Sequence, residues 1–171
     1  EKTLEAWVQL ANLTQRGGGV ISIQASGGGV FDAIVYGERE PGHWMAGSNG
    51  FVRTRSFAGS VETMATTKPV HFAISYQADG TITGYRNGRL YGKAYRTGFQ
   101  KYSAGNAEIV FGLRHAPAGG NKMLSARILQ ARLYDRALSP KAIAASAGAE
   151  SEFVSARSLL AAMTANERTQ H

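Results

Sequence analysis

At 171 residues the chain can bury one proper core, and it is too short for two comfortable domains. Its hydrophobic fraction of 43% and charged fraction of 18% are those of a globular protein, and no apolar run reaches the length of a membrane span. Cysteine is absent, which excludes a disulfide scaffold and thiolate metal sites, while a net charge of +7 keeps a polyanion partner open.

Thr3 to Leu10 alternates cleanly, with Leu4, Ala6, Val8 and Leu10 on one face and Thr3, Glu5, Trp7 and Gln9 on the other. That pattern predicts a strand with one face in the core. Arg16-Gly17-Gly18-Gly19 breaks it. Val20–Gln24 and Val30–Tyr36 read as the next two strands, joined across Gly27-Gly28-Gly29. A turn-rich stretch from Gly37 to Gly50 follows, then an expected short strand at Phe51–Arg55.

Val70 to Tyr76 alternates again, with Val70, Phe72, Ile74 and Tyr76 inward. Asp79-Gly80 and Asn87-Gly88 supply the positive-φ residues of tight hairpins, so Val70–Gln77, Thr81–Arg86 and Leu90–Tyr95 are expected to form a three-stranded meander. Glu108–Leu113 and Leu124–Tyr134 complete the strands. Short strands with no helix between them argue for a sandwich rather than a parallel α/β sheet. After the last strand, Ser139 is placed to cap a short Ala-rich helix with Pro140 in its first position. Beyond Glu150, Phe153, Arg157, Leu160 and Met163 or Thr164 recur at helical spacing, with Ser151 as a cap, which predicts a C-terminal helix. The expected division is therefore a sandwich over residues 1–148 and a helical tail or linker over 149–171.

Four segments carry a resemblance to a known family. TLEAWVQL resembles an early Glu-Ala-Trp-Val strand, VHFAISYQADGTITGYRNGRLYG a central meander, EIVFGLRH the penultimate strand, and ARLYDRALSPKAIAA the closing strand and helix of laminin-G-like domains in the concanavalin A-like lectin and glucanase superfamily. More narrowly, FDAIVYGEREPGHWMAGSNGFVRT is similar to laminin-G-like domains of large planctomycete-type proteins that also carry cytochrome-c-like segments. The resemblance implies an all-β jelly-roll sandwich. It also implies a non-catalytic accessory module of a larger extracytoplasmic protein, periplasmic or secreted. The start on Glu1 without Met, with only Lys2 before the first strand, agrees with a piece of such a protein. Its expected partners are a carbohydrate, another protein or neighbouring domains of the parent chain, with no membrane insertion.

Sugars stack on aromatic rings and pair their hydroxyls with Arg, Asn and His. Two loops gather such residues: Arg39, His43, Trp44 and Asn49 in one, Arg114, His115 and Asn121 in the other. These seven are the expected ligand-binding residues, on loops that a rigid sandwich would present. Three rivals stand beside that reading. A protein-docking or spacer domain would use an open sheet edge. A polyanion binder would use Arg86, Arg89, Lys93, Arg96 and Lys101, which lie in a stretch with no acid. A glycoside hydrolase would use Glu38 and Glu40, whose carboxylates would lie about 7 Å apart on a strand. Pro41 and the intervening Arg39 argue against the last, and no Ser-His-Asp arrangement is legible, so catalytic residues are expected to be absent. Relatives in the superfamily often hold calcium on loop oxygens. Here Asp32, Asn49, Asp79, Asn106 and Asn121 are the available hard ligands, but none lies in a calcium-loop spacing, and no cofactor is expected.

Overall fold

The computed structural model describes residues 1–149. Ten strands form two antiparallel sheets, as the alternation predicts. The larger sheet runs β10 (Ala126–Tyr134), β1 (Lys2–Leu10), β5 (Val70–Tyr76), β6 (Thr81–Arg86) and β7 (Arg89–Leu90), with β8 (Tyr95–Arg96) also on β6. The smaller sheet runs β4 (Trp44–Ser48), β3 (Phe31–Tyr36), β2 (Gly18–Ala25) and β9 (Ala107–Phe111). The result is the jelly-roll sandwich expected from the sequence.

The core lies where the alternating faces meet. Leu4, Ala6, Val8 and Leu10 of β1 and Val70, Phe72, Ile74 and Tyr76 of β5 pack against Val20, Ile23, Ile34 and Tyr36 of the opposite sheet. Removing such side chains from water supplies most of the favourable free energy of a sandwich.

Two local readings are corrected. The strand expected at Phe51–Arg55 is a turn with a short 3-10 segment, and the strand lies earlier, at Trp44–Ser48. Both faces of that strand are buried, so it shows no alternation, and its Gly47 is forced because a Cβ there would sit 2.4 Å from Val35 Cγ2. The strand expected at Leu90–Tyr95 is split into two two-residue pieces around Gly92. The second face of β1 is covered as well, with Thr3 and Glu5 buried.

Helix α1 (Pro140–Gly148) explains that cover. Ser139 caps it, its Oγ accepting from Ala142 N at 3.2 Å, and Pro140 opens it as expected. Ile143 drops onto Ala73 and Tyr85, on the outer face of the larger sheet. Beside it, Glu5 accepts hydrogen bonds from His71 Nε2 at 2.7 Å, Tyr134 Oη at 3.0 Å and Ser146 Oγ at 3.0 Å. Burial opposes ionisation of Glu5, but these donors outweigh it and hold the carboxyl below its ordinary range. His71 is thus a structural histidine. The expected helical tail falls, apart from Ala149, outside the described residues.

Candidate functional site

Apart from Asp32, strand β3 is apolar on both faces. Asp32, Ile34 and Tyr36 turn inward, while Phe31, Ala33 and Val35 form a separate cluster on the other side of the sheet. An apolar outer face has to be covered, and the segment from Gly112 to Lys122 covers it.

That segment is pinned at several points. Ser22 Oγ donates to Leu113 O at 3.0 Å, and Ala116 N donates to Gln24 Oε1 at 2.8 Å. Arg114 donates to Gly17 O at 3.1 Å, to Asn121 Oδ1 at 3.1 Å and to the Glu38 carboxylate. Burial pushes the Glu38 carboxyl above its ordinary range, with Arg114 and Arg39 pulling the other way. The backbone also comes very close to the Gly27–Gly29 turn, where a Cβ on Gly28 would lie 2.2 Å from Ala116 O. Gly28 has φ +74°, so alanine there should cost about 1–2 kcal/mol from the left-handed backbone alone. Thermal unfolding of Gly28→Ala checks this, and an unchanged midpoint would refute the close approach.

Pinning the loop lays the His115 ring flat on Phe31, with centroids 4.4 Å apart and planes at 14°. Gly27, Gly28, Gly29, Phe31, Asn49, Gly50, His115, Ala116 and Pro117 enclose a groove of about 390 Å³. Within it His115 Nδ1 donates to Ala116 O at 2.9 Å, because a carbonyl can only accept, and this leaves Nε2 as an acceptor. Burial, with Lys122 and Arg114 nearby, holds the imidazole below its ordinary range, so it is neutral at pH 7. Asn49 accepts from Arg53 Nη2 at 3.0 Å through Oδ1, and its amide nitrogen has no partner among the described residues. The groove therefore offers a flat ring, one acceptor and one donor pair.

Of the seven expected residues, the structure brings Asn49 and His115 together in this groove. Trp44 is corrected: it is 1% exposed, stacked 5.1 Å from Phe72, with Nε1 donating to Glu62 at 2.8 Å, and so has no face to offer a ligand. Arg114 is corrected as well, since its guanidinium is buried as the loop's anchor, with Asn121 as its acceptor. His43 is half-buried, with its ring nitrogen on Pro41 O. Arg39 is exposed, its guanidinium 4.9 Å above the Phe51 ring, and borders a second cleft with Glu40, Thr54, Arg55 and Ser56. Phe31, missed from sequence, could have been found by the apolar residues on both faces of its strand.

The remaining expectations separate on geometry. Glu38 faces Arg114 whereas Glu40 accepts from Ser56 Oγ at 2.8 Å, so the two acids serve different partners. Arg86 is held by Glu62, which removes one member of the basic stretch, whereas Arg96 donates to Asp79 O and stays exposed. Three of the five residues considered for calcium already face cations. Asp32 meets Lys2 and Arg53, Asn49 meets Arg53, and Asn121 meets Arg114. Among the described residues no group of three or more His, Cys, Asp or Glu could hold a metal, and no helix is long and apolar enough to cross a membrane.

Comparison with known proteins agrees with this architecture. A laminin-G-like family profile, described as the concanavalin A-like lectin/glucanases superfamily, matches residues 1–144. A search of curated protein sequences finds no significant match. Among solved structures, domain 4 of AbnA, a GH43 extracellular arabinanase from Geobacillus stearothermophilus, in complex with arabinotriose, superposes with a TM-score of 0.64 at 19% identity, covering 86% of this chain and 66% of that one. A protein of proposed carbohydrate-binding function from Bacteroides ovatus gives 0.59 at 14%, covering 84% and 39%. Trypanosoma rangeli sialidase in complex with 2,3-difluorosialic acid gives 0.53 at 16%, covering 84% and 22%. The chain thus spans less than two thirds of each of these structures, and at such identities the likeness shows the fold alone.

Proposed function

Because the chain belongs to the concanavalin A-like lectin/glucanases superfamily, we propose that it is a non-catalytic, carbohydrate-binding module of a larger extracytoplasmic protein, with the groove over Phe31 and His115 as its sugar site. The observation that carries the reading is the His115 ring stacked on Phe31 at the groove wall. A sugar's apolar face can lie on that flat surface, while His115 Nε2 accepts from one hydroxyl and the Asn49 amide donates to another. Backbone at Gly27–Gly29 carries no side chain to block the approach. Support from relatives is of the same kind: the arabinanase domain was solved with arabinotriose, and the Bacteroides ovatus protein has a proposed carbohydrate-binding role. The non-catalytic part rests on Glu38 and Glu40 being committed to Arg114 and Ser56 rather than paired across one cleft.

Arrays of neutral, acidic and sulfated glycans, read with and without chelator at low and moderate salt, test the proposal. The expected result is salt-resistant binding of a neutral glycan that weakens at least about tenfold in His115→Ala, with unfolding unchanged. Binding confined to sulfated chains and abolished by salt would replace it with a polyanion reading. Equal affinity in His115→Ala would remove the groove from the site.

A further inference from the structure

Among the described residues the sandwich is open along one long side. Strands β9 and β10 are the end strands of their sheets and lie on the same side of the molecule, β9 bonded to β2 and β10 to β1. In β9, Ile109 pairs with Ile23 and Phe111 with Ile21, both core residues, so both side chains point inward. Yet Ile109 is 37% and Phe111 57% exposed. Across the gap Leu133 pairs with core Leu4 and is 40% exposed. Residues that the strand period aims at the core are therefore left in water. Beside Leu133 lies a cavity of about 600 Å³, walled by Ile23, Phe99 and Leu133 together with polar groups that include Lys2, Gln100 and Tyr102. The chain crosses from one sheet to the other at both ends of the gap, between β8 and β9 and between β9 and β10, so the opening is a bounded slot.

We propose that this slot receives an extended polypeptide strand from a partner protein, apolar at alternate positions. Two independent features select that occupant. The outer edges of β9 and β10 carry backbone N–H and C=O groups with no ladder partner among the described residues, and only another backbone satisfies a row of them at strand spacing. The inward-facing Ile109, Phe111 and Leu133 call for apolar side chains on one face of the entering segment and tolerate polar ones on the other. A hydrocarbon chain or a sugar would leave the two rows of edge backbone groups unmet. The slot is distinct from the Phe31–His115 groove, so failure of either reading leaves the other standing.

The test uses the full chain and a panel of fluorescent synthetic peptides of about nine residues, the usual length of a strand. They carry valine at alternate positions with threonine or lysine between. Controls have the same composition with the valines grouped, or a central proline. Anisotropy should show saturable binding of alternating peptides, weakened at least about tenfold by proline. Amide exchange should slow on both Ala107–Phe111 and Ala126–Tyr134 when peptide is added. Leu133→Glu and Phe111→Lys, at exposed positions, should abolish binding while a glycan or a folding probe reports an unchanged domain. Absent binding, equal binding of all peptides, or no change at the edge amides would overturn the proposal. So would edges already protected in the free monomer, because the chain's own polypeptide would then fill the slot. Protection that appears only with self-association would overturn it in favour of a second copy.

Discussion

Asp32→Ala is expected to destabilise the domain by about 3–5 kcal/mol, the range for breaking a buried ion pair from one side. Asp32 lies fully buried on the inner face of β3, within 3.0 Å of Lys2 Nζ and 2.7 Å of Arg53 Nε, and it accepts from Tyr102 Oη at 3.1 Å. It is the counter-charge that lets two cations enter the sandwich. Burial already holds the Lys2 ammonium below its ordinary range, with Asp32 pulling it back up. Lys2 keeps other support after the substitution: Gln100 O accepts at 2.9 Å, and the rings of Phe99 and Tyr76 lie 4.4 and 4.6 Å away. Neutral oxygens and ring faces do not offset two mutually repelling buried charges. Urea unfolding should show the midpoint fall with little change in slope. Adding Lys2→Met should recover part of the loss, since one uncompensated charge disappears with it. If Asp32→Ala unfolds at the parent midpoint, the pair does not hold the sandwich.

This network shows why some of the fold was legible and the rest was not. Strands β1 and β5 alternate with period two because the sandwich core lies on one side of them, and the Asp79-Gly80 and Asn87-Gly88 turns announce positive φ in their residue types. Strand β4 announces nothing, since both its faces are covered and Ala46 and Gly47 are small to let neighbours approach. Arg and Asn in a Gly-rich loop look the same in sequence whether they meet a sugar or a carboxylate. What separates Arg114 from a ligand residue is Glu38, 76 positions away. The cue that was available lay in β2 and β3. Ser22 and Gln24 put polar groups on the same face as Phe31, Ala33 and Val35, and a mixed outer face of that kind has to be met by a loop.

The second large effect lies at Glu62, which no periodic pattern marks. Its carboxylate accepts from Arg86 Nε at 2.7 Å and Nη2 at 2.8 Å, from Trp44 Nε1 at 2.8 Å, and from Met64 N and Ala65 N at 2.8 and 3.1 Å. Burial opposes the charge, but these five donors outweigh it and bring the carboxyl down to about 2. A carboxyl depressed in the folded state adds stability that is fully present above its unfolded value near 4.5 and is lost as pH falls towards 2. That interval corresponds to about 3 kcal/mol. Glu5, also depressed, adds loss of the same sign. The parent should therefore weaken steeply between pH 5 and pH 2 (about the span of one such carboxylate), while Glu62→Gln should start lower at pH 7 and weaken less. Glutamine can still accept from Trp44 but gives Arg86 no charge to meet, so the loss at neutral pH is the ion pair rather than the packing. Urea unfolding of both proteins across this pH range reads the difference directly. Parallel pH profiles for the two would mean that Glu62 is not the group whose protonation releases Trp44, Arg86 and the segment between β4 and β5.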